Sequence, residues 1–328
     1  MKKSFLTLAL GLLVSFSAYG QISRLGLEVR GDWQYDSVAS LPSREAHSSF
    51  EGRFANFRMD GALSDNLTYS LRYRINKVQS NPFAATDWFT LNYATEKWDF
   101  SAGKQVVAIG GYEYDRAPID IYFASEYWHQ IACYQFGVSA TYKFGDKLGS
   151  KLLGQICQSP YDFGGDGLYA YNLMYMNSYD GFATLSSVNM LEYAPGQFIG
   201  YVSLGLRQSL GNVAIEMDVM DRLDFGNKTS SYSAMLDVSW AVNQKLNLFG
   251  HGSYDVNNAS VMLDPTVLPG TNIWRVGGGV EYFPTEKRDV RFHAASSYVF
   301  GNQGSVVGAL NDGDFMFQMG ITWRINLM

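Results

Sequence analysis

"FMFQMGITWRINL", residues 315–327, decides the fold class of this chain. Phe315, Phe317, Met319, Ile321, Trp323, Ile325 and Leu327 alternate with Gln318, Thr322, Arg324 and Asn326. Successive side chains of a strand point to opposite faces, so the segment has one apolar and one polar face. The same alternation appears in "RLGLEVRGDWQYD" (24–36), where Leu25, Leu27, Val29, Trp33 and Tyr35 oppose Arg24, Glu28, Arg30, Asp32 and Gln34. In "LTYSLRYRI" (67–75), Leu67, Tyr69, Leu71, Tyr73 and Ile75 oppose Thr68, Ser70, Arg72 and Arg74. About 16 such segments run from end to end. The others lie near 49–62, 87–94, 97–107, 130–143, 150–158, 168–177, 182–192, 197–208, 212–222, 230–241, 244–255, 271–283 and 288–299, with the period blurred over 182–192.

The connections alternate in length. "LSDN", "ATEK", "FGDK", "SYDG", "SLGN", "VNQK" and "PTEK" are tight. Between them fall longer stretches at 36–48, 77–86, 108–129, 159–167, 223–229, 256–270 and 300–313, with "YAPG" as the short exception. Short turns on one side and long loops on the other form the outer-membrane barrel pattern, and a tilted strand of roughly 9–11 residues crosses a bilayer. Both termini then fall on the periplasmic side. A large secreted sandwich or propeller also alternates. The strand lengths, the aromatic-rich last strand and Trp33, Tyr35, Trp98, Trp240, Trp274 and Trp323 near strand ends favour the membrane barrel. Closure also satisfies every backbone group in lipid. The expected fold is all-β: a transmembrane antiparallel barrel of about 16 strands with an inward-folded third extracellular loop.

"MKKSFLTLALGLLVSFSAYGQ" opens the chain. Lys2 and Lys3, an apolar core too short to span, and Ala18-Tyr19-Gly20 read as a cleavable secretory signal over 1–20, leaving 21–328 as the barrel. No Cys follows the apolar core, which argues against a lipoprotein. Aromatics make up 15% of the 328 residues, and the net charge of −6 argues against a nucleic-acid partner. No run of 18 apolar residues supplies a transmembrane helix.

If the apolar face meets lipid, the polar face meets the lumen. It carries Arg24, Glu28, Arg30, Asp32, Arg53, Arg58, Arg72, Arg74, Asp237, Asn247, His251, Arg275, Arg291, Gln318 and Arg324. Such charges either set ion selectivity in a water-filled lumen or neutralise one another across strands. The connection 108–129 differs from an exposed loop. Tyr112, Tyr114, Ile119, Ile121, Tyr122, Phe123, Tyr127 and Trp128 would form a large apolar patch on its surface. It is therefore expected to fold into the lumen, with Gly110-Gly111 allowing the re-entry and Pro118 stiffening it. Glu113, Asp115, Arg116, Asp120 and Glu126 then form a mainly acidic constriction loop. Arg53, Arg58, Arg72 and Arg74, on the wall strands nearest in sequence, are expected to face it as the basic pore wall.

"FEGRFANFRMDGALSDNLTYSLRYRINK" (50–77), "WDFSAGKQ" (98–105) and "GGYEYDRAPIDIY" (110–122) together resemble the porin O/P family of outer-membrane channels, in its Bacteroidota version. The resemblance covers about 50–125 and implies a 16-stranded porin, often a homotrimer, passing small anions or general solutes. Phosphate-selective members line their constriction with lysines. This loop has none, and carries Arg116 among four acids.

Cys133 and Cys157 flank the turn near Gly145-Asp146 with the same parity, so either a cross-strand disulfide or two free thiols fits. His47, His129, His251 and His293 show no metal-ligand spacing, and no GxSxG or HExxH motif occurs. "VGGGVEY" is glycine within a strand, and "NDGD" (311–314) reads as a plain turn ahead of the last strand in preference to a Ca2+ site. The expected function is an outer-membrane porin of a Gram-negative bacterium, exported by the general secretory route. It passes small solutes or ions through outer-membrane lipid with mild anion preference and without a cofactor or enzymatic activity. A plugged structural or adhesive barrel and a barrel enzyme are the alternatives.

Overall fold

A computed structural model of the chain describes residues 21–37, 46–77, 82–145, 149–162, 165, 167–224, 227–258, 266–302 and 313–328. The signal read at 1–20, parts of the longer connections and residues 311–312 of "NDGD" lie outside the described residues. Sixteen strands occur among the described residues. The first eight are β1 (Gln21–Ser37), β2 (Ala46–Ala62), β3 (Leu67–Arg74), β4 (Thr86–Ala94), β5 (Trp98–Val106), β6 (Tyr134–Phe144), β7 (Ser150–Gln158) and β8 (Tyr169–Tyr179). The rest are β9 (Phe182–Ala194), β10 (Gln197–Leu210), β11 (Val213–Asp224), β12 (Asn227–Ala241), β13 (Leu246–Asn257), β14 (Thr271–Tyr282), β15 (Val290–Asn302) and β16 (Asp314–Asn326). Each segment read from alternation falls on one strand.

Every strand pairs with its sequence neighbours, and β1 pairs antiparallel with β16, closing the barrel. Leu27 opposes Ile325 and Val29 opposes Trp323 across the closure. No strand edge is left open, which is what a lipid-facing sheet requires. Burial is inverted relative to a water-soluble protein. On β9, Val188 is 56% exposed while its neighbour Asn189 is 1% exposed. An apolar outer face and a buried polar inner face are the signature of a membrane barrel. Aromatic clusters mark both ends. Trp98 and Tyr142 lie 4.9 Å apart near the short connections. Tyr254 stacks on Trp274 at 4.3 Å near the longer ones.

Two expectations change, and one open alternative is decided. The strand read at 130–143 begins at Tyr134, because residues 126–130 are helical. Of the connection read at 223–229, residues 223–224 belong to β11 and 227–229 to β12, which pair as far as Asp224 and Asn227. Of the two states read for Cys133 and Cys157, the structure has the free thiols. Phe144 opposes Ser150, so the hairpin is centred beyond Gly145 and Cys157 faces Gly137, four residues along the strand from Cys133. Four residues of strand separate backbones by roughly 13 Å, well beyond disulfide reach.

Candidate functional site

The connection between β5 and β6, residues 107–133, carries α1 (Tyr112–Asp115), a 3-10 turn at Pro118–Asp120 and α2 (Glu126–Gln130). Its path is held to the wall by the backbone first. Ala108 N donates to Gln155 Oε1 at 2.7 Å, Asn189 Nδ2 donates to Ala108 O at 2.8 Å, and Gly110 N donates to Ser187 Oγ at 2.8 Å. A Cβ on Gly110 would meet Leu185 O at 2.8 Å and Ser187 N at 2.9 Å, so glycine permits this close approach. Gly111 follows with φ 109°, in the region that disfavours a side chain. The Asp218 carboxylate then accepts from Tyr112 N at 2.9 Å and Glu113 N at 2.7 Å, satisfying donors at the start of α1.

Beyond α1 the segment meets the opposite arc of the barrel. Arg30 donates to Ile119 O at 3.1 Å and Ile121 O at 2.6 Å. Gln318 Nε2 donates to Tyr122 O at 2.7 Å, and Tyr122 donates its hydroxyl to Glu281 at 2.7 Å. Asp255 accepts from Glu126 N at 2.9 Å, at the start of α2. Most aromatic and aliphatic residues of the segment are buried, with Tyr122 and Trp128 half-buried. Tyr114, Tyr127, Val107, Ile109 and Ile131 join Leu191, Ile199 and Tyr201 of the wall in one apolar cluster. Leu185 and Leu191 of β9 are buried on its inner face, which explains the blurred period there.

The five charged residues assigned to the segment fall into different environments. Asp120 pairs with Arg291 at 2.8 Å and Arg324 at 2.5 Å. Burial raises its carboxyl, but the two guanidiniums outweigh burial and hold it below the ordinary aspartate value. Glu126 pairs with Arg275 at 2.9 Å, and Arg116 pairs with Glu216 at 2.5 Å and Asp237 at 3.2 Å. Asp115 is exposed. Glu113 is buried and braces the segment internally, accepting from Ser125 N at 3.0 Å and from Ser125 Oγ. Burial pushes its carboxyl up, more than nearby His251 and the Ser125 bonds pull it down.

Arg53, Arg58, Arg72 and Arg74, expected to face the segment as the basic pore wall, take their ion-pair partners from carboxylates of the wall. Arg53 pairs with Asp32 at 3.2 Å and Arg58 with Asp60 at 3.0 Å. Arg72 lies 3.4 Å from both Glu28 and Asp87, and Arg74 is 2.6 Å from Asp87. The guanidiniums that hold the segment's acids come instead from β14, β15 and β16. Sequence distance misleads because the segment crosses to the far arc. Arg275, Arg291 and Arg324 were legible as inner-face residues, whereas Asp218 and Asp255 were missed. Alternation in "VAIEMDVMD" (213–221), with Ile215, Met217 and Val219 outward, could have placed Asp218 inside.

Solved outer-membrane proteins share this fold at low identity. Outer-membrane expressed OmpT of Vibrio cholerae aligns with a TM-score of 0.65 at 13% identity, covering 93% of this chain and 98% of that one. The outer membrane channel DcaP of Acinetobacter baumannii gives 0.68 at 11% identity, covering 93% and 98%. A trimer form of in-vitro folded OmpT gives 0.58 at 12% identity, covering 93% and 99%. No curated protein matches the chain. Residues 24–162, which run from β1 through β7 and include the whole 107–133 connection, match the family model described as phosphate-selective porin O and P. Over residues 24–162 the chain is thus similar to this porin family, and with the closed 16-strand barrel the match supports a place in the Gram-negative outer membrane.

Proposed function

We propose that the chain is a passive diffusion channel for small hydrophilic solutes or ions, with the segment 107–131 folded into the lumen as its constriction. The observation that carries this reading is where the segment's bonds fall. They reach β7, β9, β11 to β16 and β1, spanning most of the barrel. The arginines of β2 and β3 pair with carboxylates of the wall itself. The water-filled passage then runs along the β2–β4 arc. Arg53 and Arg58, 28% and 29% exposed, are the cations a passing solute meets there and support a mild anion preference. Arg72, 2% exposed, belongs to the wall's internal pairing.

Cleavage of residues 1–20, secretory export and assembly as a homotrimer within outer-membrane lipid belong to the same proposal. The trimer form of OmpT supports that assembly. A non-enzymatic role belongs to the same proposal, supported by the family match over residues 24–162 and by the fold. Planar-bilayer recording tests the reading. Purified protein should give stepwise ionic conductance, and Arg53→Ala with Arg58→Ala should move the reversal potential in a salt gradient toward cations. A barrel that inserts without conductance would be a plugged structural protein instead.

A further inference from the structure

A cavity of about 310 Å3 lies beside the segment 107–131, toward the short connections. Three rings contribute to its lining. Tyr122 stacks on Phe249 with centroids 5.1 Å apart and planes 17° apart, and Phe123 lies 6.3 Å from Phe249. The glycines of "VGGGVEY" make room for them. A Cβ on Gly277 would come within 2.6 Å of the Phe123 ring, and one on Gly279 within 2.7 Å of the Phe249 ring. The strand thus gives up side chains where two aromatic rings lie against its backbone.

The charges around this cavity are balanced. Arg116 pairs with Glu216 and Asp237, and Arg291 pairs with Asp120 and Glu281. Arg207 and Arg324, beyond the lining, also reach Glu216 and Asp120. Each of the four lining carboxylates therefore has a guanidinium partner, with Arg324 also 3.9 Å from Glu28, so no lining charge is left unpaired. Among the buried polar atoms of lining residues, His251 Nε2 faces Glu113 Oε1 at 3.7 Å, beyond hydrogen-bond reach, and Arg291 Nε has no hydrogen-bond partner. Their side chains are 3% and 7% exposed, so burial withholds bulk water from them. Asn247, also in the lining, donates to Glu281 Oε2 at 2.9 Å.

We propose that this cavity is a solute subsite that takes a neutral monosaccharide, a reading that rests on the porin function above and names a substrate class for it. Aromatic rings offer an apolar surface to the C–H face of a pyranose. Hydroxyl groups donate and accept, and so suit carboxylates, guanidinium N–H groups and the His251 ring together. The volume sits at the lower end of the roughly 300–1,000 Å3 typical of ligand sites, which favours a single ring over an oligosaccharide. Balanced charge disfavours both phosphate and an organic cation, each of which would leave half of the pairs opposed.

Isothermal titration calorimetry on the detergent-solubilised barrel tests this, with D-glucose, inorganic phosphate and choline as probes. D-glucose should bind in the millimolar range, more tightly than either ion. Phe249→Ala should weaken it by about tenfold through loss of the aromatic surface. Asn247→Ala should weaken it severalfold, and serves if Phe249→Ala loses the heat-modifiable gel mobility of a folded barrel. Absence of glucose binding, stronger binding of phosphate or choline, or wild-type affinity in the folded variants would overturn the proposal. Binding is read without current, so a barrel that binds glucose yet conducts nothing would remove the porin reading and leave the subsite standing.

Discussion

Asp218 accepts two backbone N–H groups of the segment, Tyr112 N and Glu113 N, from a buried position on β11. Asp218→Ala would strand both donors away from water, at ~1–3 kcal/mol each. On the proposed constriction reading, the expected outcome is a loosened segment, seen as larger and noisier single-channel currents with the barrel still heat-modifiable on gels. Asp120 belongs to the same scale. Its carboxyl is held below the ordinary value, so its contribution to docking is present above the free aspartate pKa of about 3.9 and is lost as pH falls through the lower docked value. Conductance should therefore change below about pH 3.9, and Asp120→Asn should show the acid-like currents already at neutral pH. Glu113 runs the other way. Its raised carboxyl favours docking below the free glutamate pKa and loses that contribution as pH rises through the docked value. Glu113→Gln should hold the segment in place at neutral pH with no further gain on acidification, measured by the same currents. The two cysteines are a third residue-level case, and unfolded protein should show two reactive thiols without reductant.

Among the elements, short helices and glycines do the positioning. α1 and α2 are too short to be stable alone, and each begins on a wall carboxylate, Asp218 for α1 and Asp255 for α2. The wall also clears space for backbone. A Cβ on Gly205 of β10 would lie 2.7 Å from Leu185 O, 2.9 Å from Asp218 Oδ1 and 3.0 Å from Gly111 Cα. Gly205→Val should therefore push the segment away from β9 and β10 and raise conductance, while Gly252→Val, where a Cβ meets nothing within 4 Å, should not. These glycines are visible in the sequence as interruptions of alternation. Their purpose is not, because nothing local to "SLGLR" (203–207) says that another backbone, more than 90 residues away in sequence, will lie against it.

At the scale of the whole molecule, the barrel organises charge by arc. The segment takes its cationic partners from Arg30, Arg275, Arg291 and Arg324, and the arginines of β2 and β3 keep wall partners. Arg72→Ala should consequently lower the barrel's unfolding temperature, by leaving Glu28 and Asp87 short of a buried partner, with less effect on reversal potential than Arg53→Ala. Thermal unfolding followed by circular dichroism, alongside bilayer recording, separates the two effects. The alternation of "FMFQMGITWRINL" by itself determined the strand, its two faces and, repeated along the chain, the closed barrel. A period of two is a local property, and lipid on one side demands closure on physical grounds alone. The aromatic content of 110–128 likewise pointed to burial, and Tyr112, Tyr114, Phe123 and Tyr127 are buried. Only the tertiary structure decided which arginines meet Asp120 and Glu126, that Glu113 turns inward to Ser125, and that Cys133 and Cys157 stay apart. Those outcomes depend on strand register and on where a long connection crosses the barrel, and both are set by contacts between residues far apart in the chain.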